Sequence, residues 1–374
     1  MKLSKKILLA LILSALISPV FADQPSFQET EVKASQEDAD AQNKLAVMYA
    51  NGQGVSQNYT KAVEWVSKAA NQGYAEAQNS LGVVYESGQG VSQNYDKAVE
   101  WYSKAANQGY ADAQYNLGNM YYKGLGVSQN NAKAFEWYSK AANQGDPIAQ
   151  YNIGLMYSNG LGVSQNNAKA FEWYSKAANQ GHAEAQLNLG WMYEKGQGVS
   201  QNNAKAFESY SKAANQGIAK AQYNLGNMYN QGQGVSQNYI KAVEWYSQAA
   251  NQGHAEAQLN LGVMYSNGRG VSQNNAKAFE WYSKSANQGS VDAQNNLGVM
   301  YSNGRGVSQN TALANEWYLK AANNGSAMAQ FNIGKNYLYG NNGLPKNRTQ
   351  AIFWLKKAAS QGHAQAKLML AGLQ

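Results

Sequence analysis

Two groups of residues in this chain have types and spacings that could support phosphate binding or acid–base catalysis. A Gly-x-Gly pair occurs at Gly52 and Gly54 and recurs along the chain, as in loops that hold phosphate. The third glycine and the Lys-Ser/Thr partner of such loops are missing, so the pair predicts a helix end and a tight turn. Glutamates that could act as acids or bases recur at Glu100, Glu136, Glu172, Glu208, Glu244 and Glu280.

These glutamates are unsuited to catalysis because their neighbours are nearly identical. Acid–base chemistry needs two carboxyl groups in different surroundings, and a catalytic centre is normally built once. Lys140 follows Glu136 by four residues, which predicts a surface ion pair. The sequence therefore predicts a protein that is not an enzyme.

The three histidines, His182, His254 and His363, are the candidates for metal binding. Each follows a glycine at the same place in a repeating pattern, so they are too far apart to share one ion. The chain contains no cysteine, and it has neither a zinc-ligand spacing nor a disulfide framework. We expect solvated histidines at helix starts, with no metal and no cofactor.

Aromatic and amide residues that differ between copies of the pattern are better candidates for a functional site. Rings supply contact area at low entropic cost, and amides can bond an extended peptide backbone. These residues predict binding of a protein or peptide; the alternative is that the rings only cover neighbouring helices. They are Tyr115, Asn116, Asn119, Tyr151, Asn152, Asn188, Trp191, Tyr223, Asn224, Asn227 and Phe331.

A pattern that repeats every 36 residues positions these side chains. Such a period is typical of stacked helical units, each of which buries its apolar face against its neighbours. One series of equivalent residues is Trp65, Trp101, Trp137, Trp173, Trp245, Trp281 and Trp317, with Ser209 in the gap. Another is Leu45, Leu81, Leu117, Ile153, Leu189, Leu225, Leu261, Leu297 and Ile333.

The first half of each unit predicts an amphipathic helix. Ala113, Leu117, Met120 and Tyr121 recur at i, i+4, i+7 and i+8, which places them on one helix face. Gly124 follows the last of these residues and suits a left-handed helix end.

The second half predicts another helix, with Asn130 as its N-cap. Ala134, Trp137 and Ala141 then recur at i, i+3 and i+7 and predict its buried stripe. Gly145 ends the unit.

Nine such helix pairs fit between Ala39 and Gly362, and the ninth carries one extra residue. A last helix from His363 to Leu370 is expected to cap the stack, which gives a repeat domain over residues 38–374. Residues 23–37 are polar and are expected to form a flexible lead.

The N-terminus has the features of a secretory signal peptide over residues 1–22. Lys2, Lys5 and Lys6 precede an apolar stretch, and cleavage is expected after Ala22. The stretch is too short to span a bilayer of about 30 Å comfortably. We therefore expect a periplasmic or secreted protein without stable membrane insertion.

The formal net charge of +7 does not indicate nucleic-acid binding. Three of the lysines belong to the signal peptide, and the remaining basic residues are dispersed rather than grouped into a stripe.

The repeated residues resemble a known family. The pattern Ala-x-Ala-Gln-x-x-Leu-Gly-x-x-Tyr-x-x-Gly-x-Gly-Val, followed by Lys-Ala-x-x-Trp-Tyr-x-Lys-Ala-Ala-x-x-Gly, is similar to the Sel1-like repeat, a branch of the tetratricopeptide-like helical repeats. The resemblance covers the chain from residue 38 onward. It implies an all-α fold, a right-handed superhelical α/α solenoid of antiparallel helix pairs, with the first helices lining the concave face.

The resemblance also implies a function as an adaptor or interaction scaffold, and bacterial members are often exported and implicated in envelope functions or host contact. One cysteine-rich subgroup has reported penicillin-binding activity, which is not carried over to a chain without cysteine. We expect an exported scaffold that binds a protein or peptide on its concave face. The alternatives are a binder or hydrolase of cell-wall glycan or peptide, and a structural spacer in the envelope.

Overall fold

The computed structural model describes residues 26–373, so the predicted signal peptide lies outside the described residues. Across the described residues all regular secondary structure is helical, which confirms the predicted all-α class. The helices are α1 (Phe27–Ser35), α2 (Ala39–Asn51), α3 (Tyr59–Asn71), α4 (Ala75–Ser87), α5 (Tyr95–Asn107), α6 (Ala111–Lys123), α7 (Asn131–Asn143), α8 (Pro147–Asn159), α9 (Asn167–Asn179), α10 (Ala183–Lys195), α11 (Asn203–Asn215), α12 (Ala219–Gln231), α13 (Tyr239–Asn251), α14 (Ala255–Asn267), α15 (Asn275–Asn287), α16 (Val291–Asn303), α17 (Thr311–Asn323), α18 (Ala327–Tyr339), α19 (Arg348–Ser360) and α20 (Ala364–Ala371).

Helices α2 to α19 form nine pairs, α2/α3 to α18/α19, each with a first and a second helix. Two compact units contain them: one comprises residues up to Ala185 with Gln197–Val199, and the other Gln186–Gly196 with the residues from Ser200 onward.

The ends of the helices follow the predicted capping chemistry. The first helix of the third pair, α6, ends at Gly124, whose φ of 68° is the left-handed conformation that glycine adopts without a Cβ penalty. The second helix, α7, begins after Asn130, whose side chain accepts a hydrogen bond from the backbone N–H of Lys133 (2.9 Å).

In the seven second helices from α5 to α17 the large buried ring is a tyrosine rather than a tryptophan, whereas α19 buries Trp354. In α7, Tyr138 is 2 % exposed, whereas Trp137 is only half-buried, so the predicted stripe through Ala134, Trp137 and Ala141 is wrong at its central residue. The ring of Tyr138 lies on Gly118 of α6, where an added Cβ would be 2.6 Å from Cδ1. The glycine in the pattern is therefore the seat of the buried ring.

The tryptophans are covered by lysine instead. Lys140 Nζ lies 3.8 Å from the centroid of the Trp137 ring and 2.9 Å from a carboxylate oxygen of Glu136. The predicted Glu–Lys pair is thus present, and as an exposed pair it stabilises the helix by only a few tenths of a kcal/mol, roughly 0.3–0.5.

A buried glutamine links successive pairs within each compact unit. Gln114 of α6 is 5 % exposed, and its Nε2 donates to the carbonyl oxygen of Ala106 in the preceding second helix (3.2 Å). Its Oε1 accepts from Nε2 of Gln144, at the end of α7 (2.8 Å). Both ends of the buried amide are satisfied, as burial requires.

The lead before the first pair differs from the expected flexible segment, because residues 27–35 form a helix. Ser26 and Glu29 make a capping box at its start, and Thr30 and Ala34 are buried. The carbonyl oxygen of Ala34 accepts from Nε2 of Gln42 (3.1 Å), as that of Ala106 does from Gln114. Helix α1 therefore takes the place of a second helix before the first pair.

At the other end, α20 lies where the sequence predicts a last helix. His363 caps it by accepting from the backbone N–H of Ala366 (3.3 Å).

The extra residue of the ninth pair lies in a loop held by three asparagines. Asn315 Nδ2 donates to the carbonyl oxygen of Asn342 (2.7 Å), and Asn336 bonds both other side chains (3.1 Å each). Asn342 has a φ of 54°, which asparagine tolerates better than most residues.

Candidate interaction surface

The variable residues of the first helices lie on one stripe. We define the variable stripe as the second, sixth, ninth, twelfth and thirteenth residues of each first helix. Their i, i+4, i+7 and i+11 spacing places four of them on one face, with the twelfth beside it. In the described residues, nine large apolar side chains are exposed, and the five on the first helices of the pairs all belong to this stripe. They are Tyr122 (40 %), Ile148 (46 %), Trp191 (41 %), Met328 (51 %) and Tyr339 (58 %).

Trp191 is the one predicted site residue whose ring is exposed to this degree. It is the ninth residue of α10, and its exposed indole offers a large contact area to a partner.

The predicted aromatic residues at the fifth positions pack instead. Tyr115 lies beside Tyr138, with ring centroids 5.7 Å apart. Tyr151 and Tyr223 stack on His182 and His254 at 4.6 and 4.7 Å.

Phe331 is 8 % exposed and stacks on His363 at 4.5 Å. All four rings pack against neighbouring side chains, and Trp191 is the exposed ring of the predicted set; a role of any of them in binding stays a prediction.

The predicted asparagines are half-buried and several are joined in networks. In the first compact unit, Tyr138 Oη donates to Oδ1 of Asn119 (2.7 Å), and Tyr115 bonds the side chains of Asn119 and Asn152. Asn116 Nδ2 donates to Oδ1 of Asn79 (2.9 Å). These amides hold the helices together and remain partly exposed.

In the second compact unit, Asn227 Oδ1 accepts from Tyr246 Oη (2.7 Å), and Asn224 bonds Tyr210. Asn188 is half-buried on α10.

The histidines are capping residues, and the expectation of solvated side chains is wrong. The side chains of His182 and His254 are 16 % and 18 % exposed. Their Nδ1 atoms accept from the backbone N–H of Ala185 (3.2 Å) and Ala257 (3.3 Å). Burial lowers the pKa of both imidazoles, although Glu184 and Glu256 oppose the shift.

The repeated helix pair, with its glycine-seated tyrosine and glutamine link, can now be compared with known proteins. The family model described as Sel1 repeat matches nine consecutive segments: residues 39–74, 75–110, 111–146, 147–182, 183–218, 219–254, 255–290, 291–326 and 327–363. Together they span nearly all the described residues.

The chain belongs to the Sel1 repeat family.

Two solved structures are similar to this Sel1 repeat protein over most of its length. One is c5321, a protective antigen present in uropathogenic Escherichia coli strains that displays an SLR fold, with 36 % identity, a TM-score of 0.66 and coverage of 94 % of this chain and 82 % of that chain. The other is a Sel1 repeat protein from Oxalobacter formigenes, with 30 % identity, a TM-score of 0.63 and coverage of 99 % and 100 %. No curated protein matches the chain.

The nine segments begin where the nine first helices begin, and their number matches the nine predicted helix pairs. We number the Sel1 repeats one to nine in this order. Sel1 repeat proteins are typically protein–protein interaction scaffolds, and the repeats of this chain differ at most positions of the variable stripe, although the sixth position is asparagine from the third repeat onward.

The tyrosines of the Sel1 repeats are unsuited to acid–base chemistry. Burial raises the pKa of Tyr102 and Tyr138, and it raises the pKa of Tyr282 and Tyr318 to about 12. These phenols stay protonated at neutral pH and act as hydrogen-bond donors. Between residues 26 and 373, no group of three or more His, Asp or Glu side chains is arranged to hold a metal ion.

Sequence reasoning missed two features of the repeats, the buried tyrosine and the glutamine link. Both recur as regularly as the tryptophans, so their signal was present. Tyrosine and tryptophan are neighbours in the pattern, and the larger apolar ring appeared the better core residue.

None of the helices in the described part is both long and apolar enough to cross a membrane.

Proposed function

We propose that this Sel1 repeat protein is an exported, non-catalytic scaffold that binds a protein or peptide through the variable stripe. The observation that supports it is the distribution of exposed apolar side chains on the first helices, all of which fall on that stripe. Aromatic side chains such as Trp191 and Tyr122 are the types that dominate binding energy at protein interfaces.

The contrast between fixed and variable positions supports the same function. Residues that pack the repeats, such as Gly118, Leu117 and Gln114, recur in nearly every copy because each has a defined contact. Some stripe residues, such as Asn119, also bond buried side chains, but exposed ones such as Trp191 and Ile148 are available to suit a partner. A structural spacer would instead present a uniformly polar surface.

Export is proposed on the sequence at residues 1–22, with cleavage after Ala22 and a periplasmic or secreted product. N-terminal sequencing of the protein recovered outside the cytoplasm tests this directly. An N-terminus at Met1 would contradict it.

Site-specific photocrosslinking in intact cells tests the interaction surface. A photoreactive residue at Trp191 or Ile148 should give a discrete crosslinked species. The matched controls are Ile240 and Phe353, which are exposed on second helices (62 % and 46 %) and off the stripe. Equal crosslinking from both sets would show that the stripe is not the binding surface.

A cavity between the eighth and ninth repeats favours cell-wall glycan as a second candidate ligand. It has a volume of about 390 Å³ and is lined by amides together with Lys335, including Asn332 and Asn341. Amide groups can donate to and accept from sugar hydroxyls. Binding of muropeptides by the wild-type chain, lost in an Asn341→Leu variant, would support this candidate over a protein partner.

A further inference from the structure

The first repeat contains an apolar cavity between α2, α3 and α4. The space in it that can hold the centre of a water-sized sphere is about 40 Å³. The cavity is open to solvent, and all the empty space in and around its mouth amounts to about 480 Å³. Val47 of α2 and Ser80 and Val83 of α4 border it. These residues are the ninth, sixth and ninth of their helices, so the cavity lies along the variable stripe.

The cavity exists because a ring is missing. Repeats two to eight place a tyrosine on the glycine at the eighth position of the first helix, such as Tyr102 on Gly82. The equivalent residues of the first repeat are Val66 and Ala46, and both line the cavity. Valine leaves the outer part of the ring position unfilled, and alanine replaces glycine where no ring lies over it.

The partner of the phenol hydroxyl is missing as well. Tyr102 Oη donates to Glu86, at the twelfth position, and Tyr138 Oη to Asn119, at the ninth (2.6 and 2.7 Å). The corresponding residues of the first repeat are the apolar Ala50 and Val47.

Two buried acceptors beside the cavity have no hydrogen-bond partner among residues 26–373. Asn43 is 3 % exposed, and its Nδ2 donates to Glu76 (3.1 Å), but its Oδ1 is unpaired. In the second repeat the equivalent oxygen, Oδ1 of Asn79, accepts a hydrogen bond from Nδ2 of Asn116 in the third repeat (2.9 Å). The residue equivalent to Asn116 one repeat earlier is Ser80, which is shorter and makes no such bond to Asn43.

Gln89 Oε1 is the second unpaired acceptor, and Gln89 also lines the cavity. A buried carbonyl oxygen without a donor destabilises the protein, so a ligand that supplies a donor binds favourably here.

We propose that this cavity binds the side chain of a tyrosine from a peptide partner. The aromatic ring takes the space that the chain's own tyrosines fill in later repeats, and the hydroxyl donates to Asn43 or Gln89. This proposal rests on the proposed function, since it assigns one side-chain pocket within the partner surface. A site of this kind is apolar with a few placed polar groups, as ligand pockets usually are.

Binding of p-cresol and toluene to the purified chain tests the pocket without the unknown partner. Methyl resonances of Val66 and Val83 should shift saturably with both probes. Cresol should bind about 2–10-fold more tightly, the range expected for one added hydrogen bond.

Two variants test the geometry. The double substitution Ala46→Gly with Val66→Tyr restores the arrangement of the later repeats and should abolish binding of both probes. Ser80→Asn supplies the missing donor to Asn43 and should lower the ratio of cresol to toluene affinity. A Gly118→Ala, Tyr138→Val chain is the matched control, which should gain a second site in the third repeat.

Binding of cresol that is equal in the wild-type and filled chains would overturn the proposal. So would the absence of cresol binding together with a water molecule joining Asn43 and Gln89 in a high-resolution crystal structure. Because the probes do not require the partner, a failure here leaves the photocrosslinking test of the stripe unaffected, and the reverse is also true.

Discussion

The first and third Sel1 repeats have the same two helices and different contacts between them. In the third repeat, Tyr138 lies on Gly118 and donates to Asn119. In the first repeat, the equivalent residues Ala46 and Val66 leave a cavity. In the first repeat glycine and tyrosine are both replaced, because without the ring a Cβ has room; in the ninth repeat Gly334 is kept and Leu355 takes the place of the ring.

The comparison shows two kinds of packing residue: those kept in both repeats, and those replaced together by another pair. The glutamine link is kept in both repeats, through Gln42 and Gln114. The glycine–tyrosine pair is replaced as a unit in the first repeat. A pair that is exchanged together implies a coupling energy that double mutants can measure.

The largest expected effect is the loss of the buried ring. Tyr138→Ala should lower the free energy of unfolding by about 3–5 kcal/mol, the usual range for a large aromatic residue removed from a core. Val66→Ala in the first repeat should cost only about 1–2 kcal/mol, because fewer methyl groups are removed and the site already borders a cavity. Chemical denaturation monitored by circular dichroism measures both.

Unfolding of a repeat protein need not be two-state, so hydrogen exchange of the affected helices is the matching local measurement. Equal losses at the two positions would contradict the difference in packing between the repeats.

The second-largest loss of stability is expected when the glycine that lies under the buried tyrosine ring is replaced. Gly118→Ala places a Cβ 2.6 Å from the Tyr138 ring and should destabilise the third repeat by about 1–3 kcal/mol, less the helix propensity gained. In the first repeat no ring lies over Ala46, so Ala46→Gly removes no steric clash. It should lower the free energy of unfolding by about 1 kcal/mol through the lower helix propensity of glycine alone. Thermal denaturation of both variants provides the comparison.

Combining Gly118→Ala with Tyr138→Val reproduces the pair found in the first repeat. The double variant should be more stable than the sum of the two single losses predicts. Strict additivity would rule out the coupling inferred from Ala46 and Val66.

The glutamine link should respond alike in the two repeats. Gln114→Leu removes the donor to Ala106 and the acceptor of Gln144, and Gln42→Leu does the same to Ala34 and Gln72. Each should cost about 1–3 kcal/mol, the penalty for a buried polar group left unpaired.

Equal losses in chemical denaturation would show that α1 serves the first repeat as a second helix serves the next. A negligible loss for Gln42→Leu alone would show that α1 is only loosely attached.

The helix pairs and the glycine and asparagine caps could be predicted from the sequence because each has a local signal, whereas the histidine caps were missed. Gly124 and Asn130 mark helix ends by their own conformational preferences, and the 36-residue period reports the pairing. Helix α1 was missed because the hydrogen bond that it has in common with the later second helices is accepted by a backbone carbonyl, that of Ala34. Any residue carries such a carbonyl, so the bond leaves no signal in the sequence.

The candidate site was predictable only in part. Which face of the first helix varies follows from the sequence, but exposure depends on neighbouring repeats. Tyr151 and Tyr223 looked like surface rings until the stacked His182 and His254 were seen against them. Trp191 lies at the ninth position of its helix and is 41 % exposed, whereas Val83 at the ninth position of α4 is 4 % exposed, so the position along the helix alone does not decide exposure.

The smallest expected effect concerns the caps of the first helices and depends on pH. Burial lowers the folded-state pKa of His182 and His254, so protonation favours the unfolded chain. Their contribution to stability is therefore complete above the unfolded pKa of about 6.5 and is lost as the pH falls through the lower folded value. Each histidine can contribute a slope of at most about 1.4 kcal/mol per pH unit. Serine is a suitable replacement because Ser326 caps α18 in the same way, accepting from Ala329 (3.2 Å).

Unfolding of the wild-type chain and of a His182→Ser, His254→Ser variant should therefore be compared between about pH 7.5 and pH 5.5, a range that lies above most carboxyl titrations. The variant should lose a constant amount of stability from the missing ring stacking, and its stability should fall less steeply with decreasing pH. The first repeat, whose α2 is capped by Asp38 instead of histidine, is the internal reference: hydrogen exchange there should be the same in both chains. If the free energy of unfolding depends on pH in the same way in both proteins, protonation of His182 and His254 does not lower stability, and the contradiction falls on the lowered pKa of the two imidazoles.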